Sequence, residues 1–540
     1  MFVKITKSGN YKYCQVVESF KQAGVTRHTV LFNLGRLDII ANSPNFANFA
    51  RRLLALSKAE TSASIEEISE AEVTNWGYIV YKKIWNEFGL DKILNIIGSK
   101  TKISYNLSDT SFLMAISHLL NPSSKLAVYN NQDRYTCLVP VELNNIYRSL
   151  DILADSKEKI ESQIFEINKD LFNMSVDVVF YDATTFSFSS VIADSLKDFG
   201  YSKGSKPNKV QVVMGLLIDC YGRPVGYELF AGNTFDGKTL SAALDALESR
   251  FGIRKVVIVA DKGITSKVNL KEIIDRNYSY IFAYRLKSAS NKIKAEVFLP
   301  GYTQIGEGDE ALSYKVISNK DSFYAGSKKI SLDNKIIITY SGKRAKKDAL
   351  DRQRMVEKAQ ALLEDFSKIK ASNRRGAKKY IAQQGQNINY FLDEAAIEAD
   401  SRFDGYYAIA TNEDNMSSED ILSAYHNLWK IEQSFRIMKS SLEVQPIFVW
   451  TEKRIKGHFV ICFLAFLLAR HLEYKLVKNG LPASAEKIRS ALGSLNFAKV
   501  SLGGSSYFIK TKAEDLAYNI LRILKIASPK NITPVEELSL

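Results

Sequence analysis

The spacing of apolar and polar positions changes character several times along the chain, and each change predicts a different kind of element. The first forty residues alternate apolar and polar positions between turn signals at Ser8-Gly9-Asn10 and Ala23-Gly24, so FVKIT, YCQVVESF and HTVLFNLG read as a small antiparallel β meander over 1–40. From 41 to 168 apolar residues recur at helical spacing, as in SFLMAISHLL and DSKEKIESQIFEI, which predicts a helical module. Over 169–287 short β-rich runs take over: VDVVFYDATTF, VQVVMGLLID, PVGYELFAG, then the helix KTLSAALDALESRFG, then KVVIVAD, a short helix and YSYIFAYRLK. Three strands joined by tight turns, then strand and helix in alternation, predict an α/β fold with a mixed sheet whose later strands are parallel and helix-covered.

Residues 288–403 break that alternation. Strand-like KIIITYSG and INYFLD flank the basic, helical KRAKKDALDRQRMVEKAQALLEDF, so the segment reads as a β-rich, basic insertion. The α/β pattern resumes over 404–480 with YYAIATN, a capping box at Ser417 and Asp420, the helix YHNLWKIEQSFRIMKSSL and an apolar helix containing FVICFLAFLLARHLEYKL. A C-terminal helical segment over 481–540, with AEDLAYNILRILKI, closes the chain.

Composition narrows the class. A 540-residue chain that is 46% hydrophobic and 24% charged has globular composition and room for two to four domains, which excludes a disordered or fibrous protein. Its net charge of +14 points to a polyanionic partner, nucleic acid before membrane. The excess has an address: Lys343 to Lys379 holds thirteen basic and five acidic residues, and its first turn carries Lys343, Arg344, Lys346 and Lys347. Cys14, Cys137, Cys220 and Cys462 make no CxxC pair, so neither a zinc site nor a disulfide framework is signalled, and a reducing cytoplasm fits. The amino-terminal residues lack the apolar run of a signal peptide. The run Phe459 to Ala469 is too short to span a bilayer and reads as a core helix, so no membrane partner is expected.

Two acidic residues each end an apolar strand: Asp182 follows VVFY and Asp261 follows VVIVA. The carboxyl ends of neighbouring parallel strands are where functional groups converge in open α/β sheets. On a uniform helix, Leu428, Ile431, Phe435, Met438 and Leu442 form one buried arc, and Tyr425, Trp429, Glu432, Arg436 and Lys439 share the neighbouring seam. Alone, Glu432 and Arg436 read as a solvated i,i+4 ion pair. With two aspartates waiting at the sheet edge, Glu432 becomes a third oxygen ligand, and three carboxylates suit Mg²⁺ or Mn²⁺. Asn233 and Asp236 in GNTFDGKT read as turn residues, and His458 as structural.

The order strand-Asp, strand-Asp, β-rich insertion, helix-Glu resembles the DDE transposases of bacterial insertion sequences, whose catalytic domain has the ribonuclease H-like fold. The large group with a β-rich insertion carries Tyr, two residues, Arg, three residues, Glu, six residues, Lys; here Tyr425, Glu432 and Lys439 match that spacing, and Leu428 stands at the arginine position. FYDATTFSF, GYSKGSKPNKVQVVMGLLID, GYELFAGNTFDGKTL, VADKGITSK and WKIEQSFRIMKSSLEVQPIFVWTEKRIKGHFVICFLAFLLAR are similar to the same group, as are LGRL and LLNPSSKLA nearer the amino terminus. The resemblance covers nearly the whole chain.

The resemblance implies a transposase that binds the element's terminal inverted repeats, hydrolyses the element end to free a 3′-hydroxyl and joins it to a target strand. It implies two Mg²⁺ or Mn²⁺ ions, about 3.5 to 4 Å apart as two-metal sites generally are, with Asp182 bridging and Asp261 and Glu432 each completing one shell. Tyr425 and Lys439 would hold a phosphate, with Arg436 supplying the guanidinium that Leu428 cannot. Lys343, Arg344, Lys346 and Lys347 would track DNA backbone, residues 41–168 would bind the DNA end, and Trp450 would either stack on an unpaired base or pack against the core. The partners implied are double-stranded DNA of the element ends and target, and further copies of the chain in the DNA complex, in the bacterial cytoplasm at the nucleoid. A ribonuclease H-like nuclease without strand transfer and a non-catalytic DNA-binding descendant of a transposase stay open as alternatives.

Overall fold

Period-two alternation at the amino terminus produces three antiparallel strands, β1 (Phe2–Ser8), β2 (Tyr11–Gln22) and β3 (Val25–Arg36). The computed structural model describes residues 1–22, 25–56, 71–171, 177–188, 192–200, 209–253, 256–261, 264, 266–307, 311–325, 328–364, 376–384, 389–502 and 505–540. They fall into two units, Met1–Trp76 with Leu495–Ala513 and Ser528–Leu540, and Gly77–Ser494 with Glu514–Ala527. The first unit also contains the short strand β4 (Glu72–Asn75).

The second unit is built on one large mixed sheet. Its strands are β5 (Val178–Ser187), β6 (Gln211–Asp219), β7 (Pro224–Ala231), β8 (Val257–Ala260), β9 (Ser279–Tyr284), β10 (Thr303–Ile305), β11 (Leu312–Ala325) and β12 (Lys328–Tyr340). After a separate hairpin, β13 (Ile381–Gln384) with β14 (Asn389–Leu392), β15 (Tyr406–Thr411) rejoins it. The order across the sheet is β10-β11-β12-β15-β9-β8-β5-β6-β7. Only the β5–β8 and β8–β9 pairs are parallel among these neighbours, as three strands in tight succession followed by strand-helix alternation require.

Strands β10 to β12, read from sequence as part of an insertion, extend this same sheet through β15. The reason is in KIIITY: Ile336, Ile337 and Ile338 are all buried, and a strand apolar on both faces needs cover on both. The 481–540 stretch departs from its helical expectation as well. Besides helices Ala485–Gly493 and Asp515–Ile523 it holds β16 (Asn496–Leu502), β17 (Ser505–Lys510) and β18 (Ile532–Pro534), which join β4 in the order β18-β17-β16-β4. NFAKVSL and SSYFIK carry the alternation that signals them.

One face of the large sheet, with Val179, Tyr181, Leu217, Ile258 and Ala260, is buried with residues of helix Leu240–Ser249 and Ile273 of helix Lys267–Asp275. The other face meets helix Glu452–Lys478, where Phe459 contacts Phe186 of β5 at 5.4 Å between ring centroids and Phe463 contacts Tyr227 of β7 at 5.2 Å. That helix runs 27 residues, starts where the Thr451 hydroxyl accepts from the Arg454 N–H, and is apolar enough to cross a membrane; 94% of its most apolar window is buried inside the fold, as a core helix requires. It lies against helix Leu143–Leu171 so closely that a Cβ on Gly457 would come 2.0 Å from the Leu150 carbonyl oxygen.

Candidate active site

Register is what brings the two aspartates to one level, although only Asp261 ends its strand as the sequence suggested: Asp182 lies inside β5, opposite Leu216 of β6, because TTFS continues the strand beyond it. β5 and β8 pair in parallel at Val178↔Val257, Val179↔Ile258 and Phe180↔Val259. Asp182 and Asp261 each lie two residues further on, at one level of strands that neighbour at about 4.8 Å. Strand alternation turns both away from the face of Val179, Tyr181, Ile258 and Ala260 and towards the face that helix Glu452–Lys478 covers. Asp182 is half-buried, and its Oδ1 accepts a hydrogen bond from the Ala183 N–H at 2.8 Å. Asp261 is exposed and lines a cleft of about 480 Å³.

The same cleft is lined by Glu432, Tyr425, Leu428 and Trp429. These do not sit on the one continuous helix expected from the seam. Helix Ser418–His426, whose Ser417 cap accepts from the Asp420 N–H at 3.1 Å, ends in a tight turn with i to i+3 bonds from Leu428 to Tyr425 and from Ile431 to Leu428. The Asn427 side chain helps to make the break by donating to the Ser423 carbonyl at 2.9 Å. Helix Trp429–Arg436 comes next, and a π turn over Ile437–Ser441 adds a second irregularity.

Those two breaks change where the seam residues point. Tyr425 and Glu432 still share the cleft, but Arg436 is exposed and absent from its lining, so the cation assigned to replace the signature arginine is not in this cleft. Lys439, expected to reach outward, is half-buried: its ammonium donates to the Thr184 hydroxyl at 2.7 Å and lies 5.4 Å from the Phe186 ring centroid. Lys439 lies within the π turn itself, and its partner Thr184 stands two positions from Asp182 on the same face of β5.

Burial pushes the Tyr425 phenol upward, and the charges of Asp261 and Glu432 add to the rise while Tyr407 and Arg344 oppose it. Tyr407 of β15 also lines the cleft, with its ring 5.4 Å from that of Tyr425 and its phenol pushed up by burial and by that neighbour. Both stay protonated at neutral pH and can donate hydrogen bonds. Sequence reading did not single out Tyr407; its only local signal is its position in the apolar run of a strand end.

The remaining candidates are dispersed. Arg344, in the first turn of helix Gly342–Leu363, lines the cleft, whereas Lys343, Lys346 and Lys347 are exposed on the same turn and do not. Trp450 is exposed, and its carbonyl accepts from Lys197 at 2.9 Å. Asn233 donates to Asp198 at 2.6 Å within a turn. Residues 365–375 of the basic stretch, 201–208 of GYSKGSKPNK and 262–263 after Asp261 lie outside the described residues.

Among the described residues that line the cleft, the metal-ligand types are the carboxylates of Asp261 and Glu432 and the imidazole of His426, with no cysteine, and the two carboxylates suit a hard divalent cation. A second group of metal-ligand types, unreadable in the sequence, is formed by buried His118, His458 and Cys462. Its imidazoles are already committed. His118 Nδ1 donates to the Leu442 carbonyl at 2.8 Å, its Nε2 accepts from the Lys125 ammonium at 3.1 Å, and His458 Nε2 donates to the Val444 carbonyl at 3.1 Å. A buried ammonium at that distance repels a cation, so the network holds backbone: it pins the segment after the π turn, where Gln445 accepts from the Ser187 N–H at 3.0 Å at the end of β5.

Lys125 gives this network a pH signature. Burial lowers its pKa from 10.5 to about 8. The unfolded chain therefore binds more protons between those values, so stability rises with pH across that window and the cost of charging Lys125 is present in full below it. Lys125→Met is expected to remove about 3 kcal/mol of that rise, read as the difference between denaturant unfolding free energies at the two ends of the window. Equal rises in wild type and variant would show that Lys125 is not buried as a charged group.

The family described as Transposase DDE domain matches residues 175–468, and the one described as IS1634 family transposase, N-terminal domain, matches residues 3–67. Among solved structures, piggyBac transposase in a synaptic complex with hairpin DNA is 9% identical, with 78% of this chain and 80% of that chain covered at a TM-score of 0.35. The Mos1 transposase paired-end complex with the left transposon end is 11% identical, with 33% and 60% covered at a TM-score of 0.15. None of the curated proteins matches the chain.

Proposed function

The chain belongs to the DDE transposases, whose catalytic domain matches over half of its length, and we propose that it mobilises a bacterial insertion sequence by cutting the element's terminal inverted repeats and joining them to target DNA. The observation that carries this reading is that Asp182 and Asp261 stand at one level of adjacent parallel strands and that Glu432 lines the same cleft as Asp261. The strand order β7-β6-β5-β8-β9, three antiparallel strands followed by two parallel ones, supports a ribonuclease H-like core.

The DDE transposases work with divalent metal ions. Asp182, Asp261 and Glu432 are the residues that would hold Mg²⁺ or Mn²⁺, two ions in our reading, which when bound acidify the attacking hydroxyl and stabilise the leaving oxygen. The chain's own part is to bind and orient. Tyr425 offers a neutral phenol to a phosphate oxygen from the helix wall, and Lys439 brings positive charge to the β5 side. The exposed Lys343, Lys346 and Lys347 follow DNA backbone, a contribution that weakens with salt. Residues 41–168 recognise the element end, and exposed Trp450 stacks on an unpaired base near the cut. Two ends are paired by further copies of the chain in the DNA complex, in the cytoplasm at the nucleoid.

A supercoiled donor plasmid carrying the element's ends, taken from DNA flanking the coding region and incubated with Mg²⁺, tests the reading. Excision with joined products is expected. Cleavage without joining would make the protein a nuclease, and binding alone would make it a non-catalytic descendant.

A further inference from the structure

The cleft that Asp261 and Glu432 share contains one fixed cation among the described residues that line it, and that cation comes from an unexpected element. Arg344 is the only arginine or lysine in that lining, and it belongs to the inserted segment rather than to the Glu432 helix. From the turn that leads into the Glu432 helix, Leu428 lines the same cleft without charge.

Arg344 is held in place by its surroundings. The Ser341 N–H donates to the Gly405 carbonyl at 3.1 Å, the Asp348 carboxylate accepts from the Gly405 N–H at 3.0 Å, and Arg352 pairs with Asp404. Gly405 has φ +84°, and a Cβ there would fall 2.8 Å from the Ala345 methyl and 2.9 Å from the Ser341 carbonyl oxygen, so the helix start seats directly on the backbone entering β15. The guanidinium then stacks 4.8 Å from the Tyr407 ring centroid, while its Nε stays 3.5 Å from Asp348. Half of the side chain remains exposed, at 49%. A planar fork resting on an aromatic face at the rim of a carboxylate cleft is suited to two oxygens of one phosphodiester.

We propose that Arg344 grips the scissile phosphate of the element end, supplying from the inserted segment the guanidinium that Leu428 does not. The proposal rests on the transposase reading and refines it: cleavage depends on the seating of the inserted helix, and Arg344 differs in role from Lys343, Lys346 and Lys347 beside it.

The test uses full-length protein and two duplexes of the terminal repeat, one natural and one with an uncharged methylphosphonate at the cleavage position. Wild type is expected to bind the neutral duplex about tenfold more weakly, and Arg344→Ala to bind both alike, because the charge that sensed the difference is gone. Lys346→Ala should weaken both duplexes together and keep the tenfold gap. In Mg²⁺, Arg344→Ala is expected to cleave about a hundredfold more slowly at saturating DNA, with partial recovery in Arg344→Ala/Leu428→Arg. A gap that persists in Arg344→Ala overturns the proposal even if wild type cleaves and joins. A gap that vanishes in that variant while wild type fails to cleave upholds the contact and overturns the reaction instead.

Discussion

Asp182→Asn, Asp261→Asn and Glu432→Gln are each expected to slow cleavage of the element end by about a thousandfold or more, with the end duplex still bound. Each change keeps shape and removes one negative charge. Asp261 and Glu432 line one cleft from different elements, so neither can stand in for the other, and Asp182, inside β5, is oriented by the Ala183 N–H that it accepts from. Cleavage of a labelled end duplex in Mg²⁺, beside binding of the same duplex, separates loss of chemistry from loss of fold. Any one of the three that cleaves at the wild-type rate loses its place in the site. The phenol should matter less than the carboxylates, because it positions the phosphate without holding an ion.

The largest effect on stability is expected at Gly457. Alanine there would place a methyl carbon 2.0 Å from the Leu150 carbonyl oxygen, a backbone atom that cannot turn aside as a side chain would. Helix Glu452–Lys478 must then move off helix Leu143–Leu171, and its contacts with β5 and β7 through Phe459 and Phe463 move with it. A loss of about 3 kcal/mol is expected in urea unfolding monitored by tryptophan fluorescence, at the upper end of what overpacking a core costs. Gly480, with φ +73° and open space around it, serves as a comparison: there alanine meets backbone strain but no clash and should cost about 1 kcal/mol. If the two variants unfold alike, the close approach of the helices is wrong.

Much of this architecture can be read from local pattern. Asp261 is visible as the polar end of VVIVAD because a strand core must be apolar and its end need not be, whereas Asp182, read the same way at the end of VVFYD, lies inside β5. The helix with Glu432 is visible from its apolar stripe, and the start of the helix before it from the capping spacing of Ser417 and Asp420. The wheel drawn on that helix fails where i to i+3 bonds at Leu428 tighten it and the π turn at Ile437–Ser441 loosens it. Neither deviation leaves a mark in residue spacing. Arg344 is one of thirteen basic residues in its stretch, and nothing local distinguishes it from Lys343 or Lys346.

Residue order was enough for the family, the mixed sheet and the strand-end position of Asp261, because period-two and period-3.6 patterns record which faces are buried. Long-range packing settled the surroundings of the carboxylates. Lys439 lies on Thr184 across 255 residues of chain, His118 on the Leu442 carbonyl across 324, and Arg344 reaches the cleft through an inserted helix seated on Gly405. Contacts of that span depend on strand register, helix irregularity and the absence of one Cβ. These are properties of packed backbones, and residue periodicity does not encode them.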